Sequence, residues 1–369
     1  MAAKQVVIVG GGISGVATAY YLAQRGVASK VLDPVGIASA ASGKAGGFLA
    51  LDWNDGSPVG PLSRKSFALH AELADRFGAE AIDYRRLTCA AVACSGGAPG
   101  SLRQAKASGV QWADLGVLGS KPMGTEDTIA QVHPKKLVDM LWAEARRLAG
   151  SSLVIGKATG LALDDAKAKV VGVEVEDGGV LPCSDVLLAM GPWSPTWLGL
   201  PPAYGQKYHS ILMRPERTLS QCVFFQGMGD PEAYPRPDGT VYVTGYPDNP
   251  SPMSEAPGGV EVRADVVNRL ASAMRQASTE FEAAPVTVEQ ACHLPIVGDG
   301  LPVLGRAPGG VGGVYVATGA GCWGILCGPA AGLAMSELIL DGHAKAVDLS
   351  AFDPAKFRAE MKSSGKWDK

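Results

Sequence analysis

The chain has 369 residues, 47% hydrophobic and 19% charged, which fits two domains or one large α/β body with a sizeable core and excludes a disordered chain. A net charge of −3, with no Lys/Arg run longer than two, argues against a nucleic-acid-binding surface. Seven cysteines at irregular spacing, with no C-x-x-C, fit buried or reactive thiols in a reducing, cytoplasmic setting and give no disulfide framework; no metal ligands are assigned.

The first element opens almost at the start of the chain, where VVIVGGGISGVATAYYLAQRG spans Val6 to Gly26. A β-branched strand, Val6 to Val9, runs into glycines and then into a helix of small residues beginning near Ile13. Gly10, Gly12 and Gly15 match G-x-G-x-x-G in the strand–turn–helix context that gives the pattern its meaning. Gly10 allows the tight turn, Gly12 lets the backbone approach a pyrophosphate, and Gly15 lets the helix pack close to the strand. The helix N-terminus then offers free N–H groups to phosphate oxygens. A second strand, SKVLD, ends in Asp33, whose carboxylate is placed for ribose hydroxyls. This unit predicts an adenine dinucleotide. With a strand starting near Gln5, no signal or transit segment is expected ahead of it.

Downstream, SRKSFALHAELADRFG predicts a helix, YRRLTCAAVAC a strand, and a loop-rich stretch runs to about Ile129. KKLVDMLWAEARRLA predicts another helix, with Pro134 suited to its first turn. Short strands follow in VIGKATGLAL, AKVVGVEVE and DVLLAMG, with turns at Asp164-Asp165 and Gly178-Gly179, and suggest a β-meander over the nucleotide sheet. From Pro201 to Val288, proline-rich strands and the helix VRADVVNRLASAMRQA read as an antiparallel sheet forming a roof.

Near the C-terminus the grammar of the first element returns. Strand Val314 to Thr318 leads into Gly319, Gly321 and Gly324 and then an apolar helix to about Leu340. No strand and acidic residue follow, so this is one helix N-terminus delivered to a ligand rather than a second nucleotide domain. Two separated glycine loops suit a long cofactor, which favours FAD over NAD. Glycines and Pro329 break the apolar tail, which reads as cofactor site and not as a membrane span.

With these motifs the chain resembles the D-amino-acid oxidase, glycine oxidase and sarcosine oxidase superfamily of flavoproteins over nearly its whole length. AASGKAGG at Ala40 to Gly47 is similar to that family's Ser-x-x-Ala-Gly loop, and LLAMGPWS at Leu187 to Ser194 to its Ala-x-Gly-x-Trp-Ser strand end. QVHPKKLVDML, YPRPDGTVYVTG and ACHLPIVGDGLPVLG resemble its proline-led helix, its substrate-domain hairpin and the segment before its last flavin strand. CWGI in the tail resembles a fungal and plant branch of oxidoreductases.

The resemblance implies an α/β fold (α+β overall): a Rossmann-like FAD-binding domain with a β-meander, plus an antiparallel-sheet substrate domain. Residues 1–84, 130–204 and 289–369 would form the first, and 85–129 and 205–288 the second. It places Gly10, Gly12, Ile13, Ser14, Gly15, Asp33, Ser42, Gly43, Lys44, Ala45 and Gly46 on the cofactor. Ala158, Gly191, Trp193, Cys292, Gly319, Gly321, Cys322, Trp323, Gly324 and Ile325 complete that set. Lys44 and the helix starting near Trp323 would both stabilise the anion formed on flavin reduction. Cys292 is either a covalent flavin attachment, as in the sarcosine oxidase branch, or a buried small hydrophobe; core packing is expected for Cys322 and Cys327.

Departures from the family narrow the substrate. The glycine oxidase and D-amino-acid oxidase branches grip a carboxylate with an arginine where this chain has Leu294, and His293 is no fork-shaped substitute. The clamp is therefore lost unless Arg214, Arg217 or Arg236 replaces it. The oxygen-activating lysine of the sarcosine oxidase branch would fall in GTVYVTG, which has none, and Ala320 stands where relatives with CWGI often carry His. His209 and His293 are the remaining candidates for acid–base work. The expected activity is hydride removal from a C–N bond of an amine or modified amino acid, with electrons passing to O2 or another carrier. The alternatives are a flavin-binding protein with a regulatory role and a flavoprotein acting on a C–OH bond. A monomer or homodimer without nucleic-acid or membrane partners is expected.

Overall fold

The computed structural model describes residues 4–95, 109–166, 168–196, 204–248 and 253–357. The sequence-predicted start of the roof at Pro201 and the last twelve residues lie outside them. Strand Val6–Val9 is buried at every position, as a strand covered on both faces must be. It sits inside a six-stranded sheet between Asp185–Leu188 and Ser29–Asp33, both parallel to it, with Ile8 opposite Leu187 and Val31. Ser152–Ile155 extends the sheet beyond Ser29–Asp33, and Val314–Thr318 extends it beyond Asp185–Leu188, both in parallel. Val303–Arg306 closes the edge antiparallel to Val314–Thr318.

Helices Ile13–Gln24, Pro134–Ala149 and Gly324–Asp341 cover one face of this sheet and share one apolar core with it. On the other face lies an antiparallel meander of Ala158–Leu163, Val170–Val175 and Val180–Pro182. The sequence-predicted meander is thus real but smaller. VIG and DVLL, assigned to it from sequence, belong to the parallel sheet instead.

The roof is a seven-stranded mixed sheet, ordered Val286–Ile296, Tyr204–Met213, Val241–Gly245, Glu232–Pro235, Cys222–Gln226, Cys89–Cys94 and Val117–Gly124. It is antiparallel except where Cys222–Gln226 runs parallel to Cys89–Cys94. Helix Ala264–Ala277 buries Val266, Val267, Leu270 and Met274 against it.

Three sequence expectations are corrected here. YRRLTCAAVAC is two strands: Arg85–Arg86 joins a small sheet with Phe48–Ala50 and Ile129–Gln131, and only Cys89–Cys94 enters the roof. The stretch read as loop contains Val117–Gly124, which pairs with Cys89–Cys94. Finally, Val286–Ile296 is one unbroken roof strand, so the boundary drawn at 288/289 cuts through an element paired along Tyr204–Met213.

The tail helix has the length and hydropathy of a membrane span, yet 67% of its most apolar window is buried inside the protein. Beyond Asp341, the described residues include the short turns Ser350–Phe352 and Pro354–Phe357, anchored by buried Phe352 and Phe357.

Candidate active site

The chain leaves Val9 through Gly10 at φ +115°, where a Cβ would stand 2.2 Å from the Ala189 carbonyl oxygen. A Cβ on Gly15 would lie 2.2 Å from the Gly10 oxygen and 2.9 Å from Ile8 Cγ2, so the helix seats directly on its strand. At Gly12 the space for a side chain is closed by Ser42 Oγ, 3.2 Å from the Cβ position. That hydroxyl accepts a hydrogen bond from the Ile13 N–H at 2.9 Å, folding the 40–47 loop over the helix start.

Asp33, expected from sequence to meet ribose hydroxyls, is hydrogen-bonded to three backbone N–H groups. Its carboxylate accepts hydrogen bonds from the Gly11, Val35 and Gly36 N–H groups at 2.8, 2.9 and 2.8 Å. It clamps the glycine loop to the following turn while lining the cavity.

That cavity, about 540 Å³, runs from the Gly10–Asp33 end to the roof residues Phe224, Tyr234 and Leu294. The second glycine loop joins it: Thr318 Oγ1 donates to the Gly191 carbonyl at 2.7 Å, and residues 317–325 line the wall. Two loops some three hundred residues apart therefore face one elongated space, with a helix N-terminus opening at each.

Of the cofactor residues expected from sequence, all but Gly15, Gly43 and Lys44 line this cavity. Gly15 serves packing, as does Gly43, where a Cβ would stand 2.1 Å from the Ala38 oxygen. Lys44 is turned away: its ammonium donates to the Ala291 carbonyl at 3.0 Å, at the roof strand rather than in the cavity.

Strand alternation removes both histidines from the site. Cys292 and Leu294 face the cavity, so His293 points to the opposite side, with Nδ1 3.2 Å from the Gly205 carbonyl. Likewise Tyr208 lines the cavity while His209, fully buried, accepts the Arg263 N–H on Nε2 at 3.0 Å. Burial holds both imidazoles below their usual pKa. Neither ring reaches the cavity, and the catalytic roles expected for Lys44, His209 and His293 find no support in their positions.

None of the three candidate arginines restores the missing clamp. Arg214 donates to the Asp238 carbonyl, Arg217 pairs with Glu280, and Arg236 lies over the Tyr242 ring and donates to the Ala45 carbonyl at 3.1 Å. None of the three lines the cavity.

Cys292 does line it, but burial pushes its thiol up to about 11, against the lowering effect of the Lys44 charge. Cys322 is open to the cavity space and yet surrounded by protein on its other sides, so burial raises its thiol too. Cys327 lies deeper, with Sγ 3.6 Å from Ser63 Oγ, in the packing role expected.

Sequence reasoning missed the aromatic roof wall. Phe48, Trp53, Phe224 and Tyr234 form a contiguous cluster with centroids 5.0 to 5.7 Å apart, and Tyr242 stacks on Tyr234 at 5.8 Å. Gly46 is tied to this wall, because a Cβ there would stand 2.4 Å from the Tyr234 ring. The alternation in CVFFQ, EAYP and VYVTG carried the signal, since it puts Phe224, Glu232, Tyr234, Tyr242 and Thr244 on the cavity side.

Fold and site define a dinucleotide-binding oxidoreductase: a glycine cradle with no room for side chains, a long cavity, and a second helix N-terminus at its far end. The chain belongs to the FAD dependent oxidoreductase family, whose sequence profile matches residues 5–338, and FAD is the cofactor that this cradle fits. It is 30% identical to a Schizosaccharomyces pombe protein named as an oxidoreductase, over 95% of this chain and 98% of that one. Glycine oxidase of Pseudomonas putida is 25% identical, over 95% and 98%. The crystal structure of glycine oxidase from Geobacillus kaustophilus superimposes with a TM-score of 0.78 at 23% identity, covering 95% of this chain and 98% of that one, which shows the shared fold.

Proposed function

We propose that the protein removes a hydride from a C–N bond of an amine or modified amino acid, with FAD as the acceptor. The observation that carries this reading is that the aromatic wall and the second glycine loop line one cavity, which has Leu294 where an arginine clamp would stand. Such a wall can hold an apolar C–H against one face of a flat cofactor, and hydride transfer needs little more from the protein than position and electrostatics. FAD supplies the two-electron acceptor when bound. The glycine oxidase relative supports a C–N bond as the reacting unit, while Leu294 argues against a small free amino acid held by its carboxylate.

Anaerobic mixing with a panel of primary and secondary amines, N-substituted amino acids and 2-hydroxy acids tests this. Bleaching of the flavin band by amines, with the hydroxy acids inert, is expected. Bleaching by the hydroxy acids alone would assign the enzyme to C–OH oxidation, and reduction by neither group would favour a regulatory flavoprotein.

A further inference from the structure

The roof end of the cavity holds a carboxylate and, among the described residues, no cation. Four charged side chains line the cavity as a whole: Asp33, Lys157, Glu255 and Glu232. Asp33 is committed to the first glycine loop and Lys157 precedes Ala158 near that end, while Glu255 is exposed. Glu232 alone belongs to the roof wall. It stands directly across from Phe224 on one neighbouring strand and from Thr244 on the other, and all three line the cavity. The Tyr234 hydroxyl donates a short hydrogen bond to its Oε2.

No Lys, Arg or His pairs with Glu232 among the described residues, although the group is largely enclosed. A carboxylate taken from water without a counter-ion costs several kcal/mol. Burial accordingly raises its pKa, against which only the Tyr234 hydrogen bond acts. A cation arriving in the chamber would relieve that cost. The rings of Trp53, Phe224 and Tyr234 line the same cavity as one packed wall, and aromatic faces attract cations through their quadrupoles.

We propose that this end of the cavity is an ammonium receptor, so that the substrate is an amine that arrives as its ammonium and presents no carboxylate there, with Glu232 as its ion partner and as acceptor of the proton it must lose before a hydride can leave, beside the wall formed by Trp53, Phe224 and Tyr234. The proposal rests on reading the cavity as the site of C–N oxidation, and it inverts the polarity that an arginine clamp would impose. A carboxylate-bearing ligand would meet a second negative charge and no compensating donor fork.

The test uses the FAD-loaded enzyme and three isosteric probes of opposite or no charge: tetramethylammonium, pivalate and tert-butanol. Tetramethylammonium carries no oxidisable C–H next to a neutral amine, so binding is read apart from turnover. Perturbation of the flavin spectrum and quenching of tryptophan fluorescence, to which Trp53 and Trp323 in the cavity wall contribute, report occupancy. Tetramethylammonium should bind at least about tenfold more tightly than pivalate or tert-butanol, and Glu232→Gln should weaken it by about tenfold or more without changing FAD content. Pivalate binding as tightly as tetramethylammonium, no saturable binding of tetramethylammonium, or an unchanged affinity in Glu232→Gln would each overturn the proposal. Should Glu232→Gln fail to fold, the order of affinities in the unsubstituted enzyme still decides. Selective tetramethylammonium binding in an enzyme that no amine reduces would contradict the oxidation chemistry and leave the receptor standing. Reduction by amines combined with a preference for pivalate would do the reverse.

Discussion

Gly332 of the tail helix and Ala17 of the first helix meet backbone to backbone: a Cβ on Gly332 would stand 2.5 Å from Ala17 Cβ and 2.6 Å from its carbonyl carbon. Gly328 makes room in turn for the Ile13 side chain, with a Cβ position 2.3 Å from Cγ1. The tail glycines beyond the cavity therefore bring together the two helices whose N-termini open at the two ends of the cofactor site.

Replacing Gly332 with Ala should separate these helices. Overpacking a contact that close is expected to cost about 1–3 kcal/mol or more, since the clash is partly with backbone that cannot rotate away. Thermal denaturation of the FAD-loaded protein should show a clear drop in midpoint, together with weaker FAD retention. An unchanged midpoint would mean that the helices separate freely and that their spacing is not set here.

FAD should be held without a covalent bond. The Cys292 thiol faces the cavity, but burial keeps it protonated up to about 11, and the thiolate is the reactive form. Acid precipitation should release all the flavin into the supernatant, and Cys292→Ala should retain FAD. A yellow pellet that becomes colourless in Cys292→Ala would show a thioether.

Acid should loosen the start of the tail helix. His70, fully buried, places Nε2 3.0 Å from the Ile325 carbonyl and 3.2 Å from that of Leu326, and burial pushes it down to about 4. The folded protein thus binds this proton less readily than the unfolded chain, whose histidine titrates near 6.5. Stability is then fully present above about pH 6.5, is lost as the pH falls toward 4, and levels off below that, a total of roughly 3 kcal/mol. His133, also pushed down to about 4, adds in the same direction. Stability measured from pH 8 to pH 4 should fall less steeply in His70→Gln, which keeps a donor and cannot be protonated in this range. Superimposable profiles would remove His70 from the acid response.

Reduced enzyme should react slowly with oxygen. Superoxide-like charge forming beside the flavin is stabilised by a nearby cation, yet among the described residues no Lys or Arg lines the roof end and Lys44 is engaged by the Ala291 carbonyl. Reoxidation in air should be slower than with an artificial dye, and Lys44→Met should change it little. Rapid peroxide formation lost in Lys44→Met would show that the ammonium leaves Ala291 during turnover.

What could be read from the sequence was what is built locally. Val6–Val9, Ile13–Gln24 and Ser29–Asp33 fall where the glycine spacing and β-branched runs put them, because strand, turn and helix follow one another in the chain and Gly15 meets Gly10 and Ile8 of its own unit, although Gly10 and Gly12 answer Ala189 and Ser42 from elsewhere. The site's other wall depends on pairing between distant segments. Whether Cys292 or His293 faces the cofactor is decided by a register one residue wide, set against Tyr208 and Lys207 eighty-odd residues away. The opposition of Phe224 and Glu232 arises from strand pairing in the same way, and Lys44 chose a main-chain carbonyl that no motif announces. Motif matching reached residues that line the cavity at its glycine loops for that reason, while Lys44, His209 and His293, expected at the catalytic end, lie outside the lining.

The account depends most on the cofactor lying in the Gly10–Gly15 cradle, and one variant tests that directly. A Cβ on Gly12 already stands 3.2 Å from Ser42 Oγ, so a valine there fills the space through which the pyrophosphate would approach the backbone. Measured FAD content per chain in purified Gly12→Val should fall close to zero, giving colourless protein that remains folded by circular dichroism. Yellow Gly12→Val protein with full FAD occupancy would contradict the placement of the cofactor, and with it the reading of the cavity.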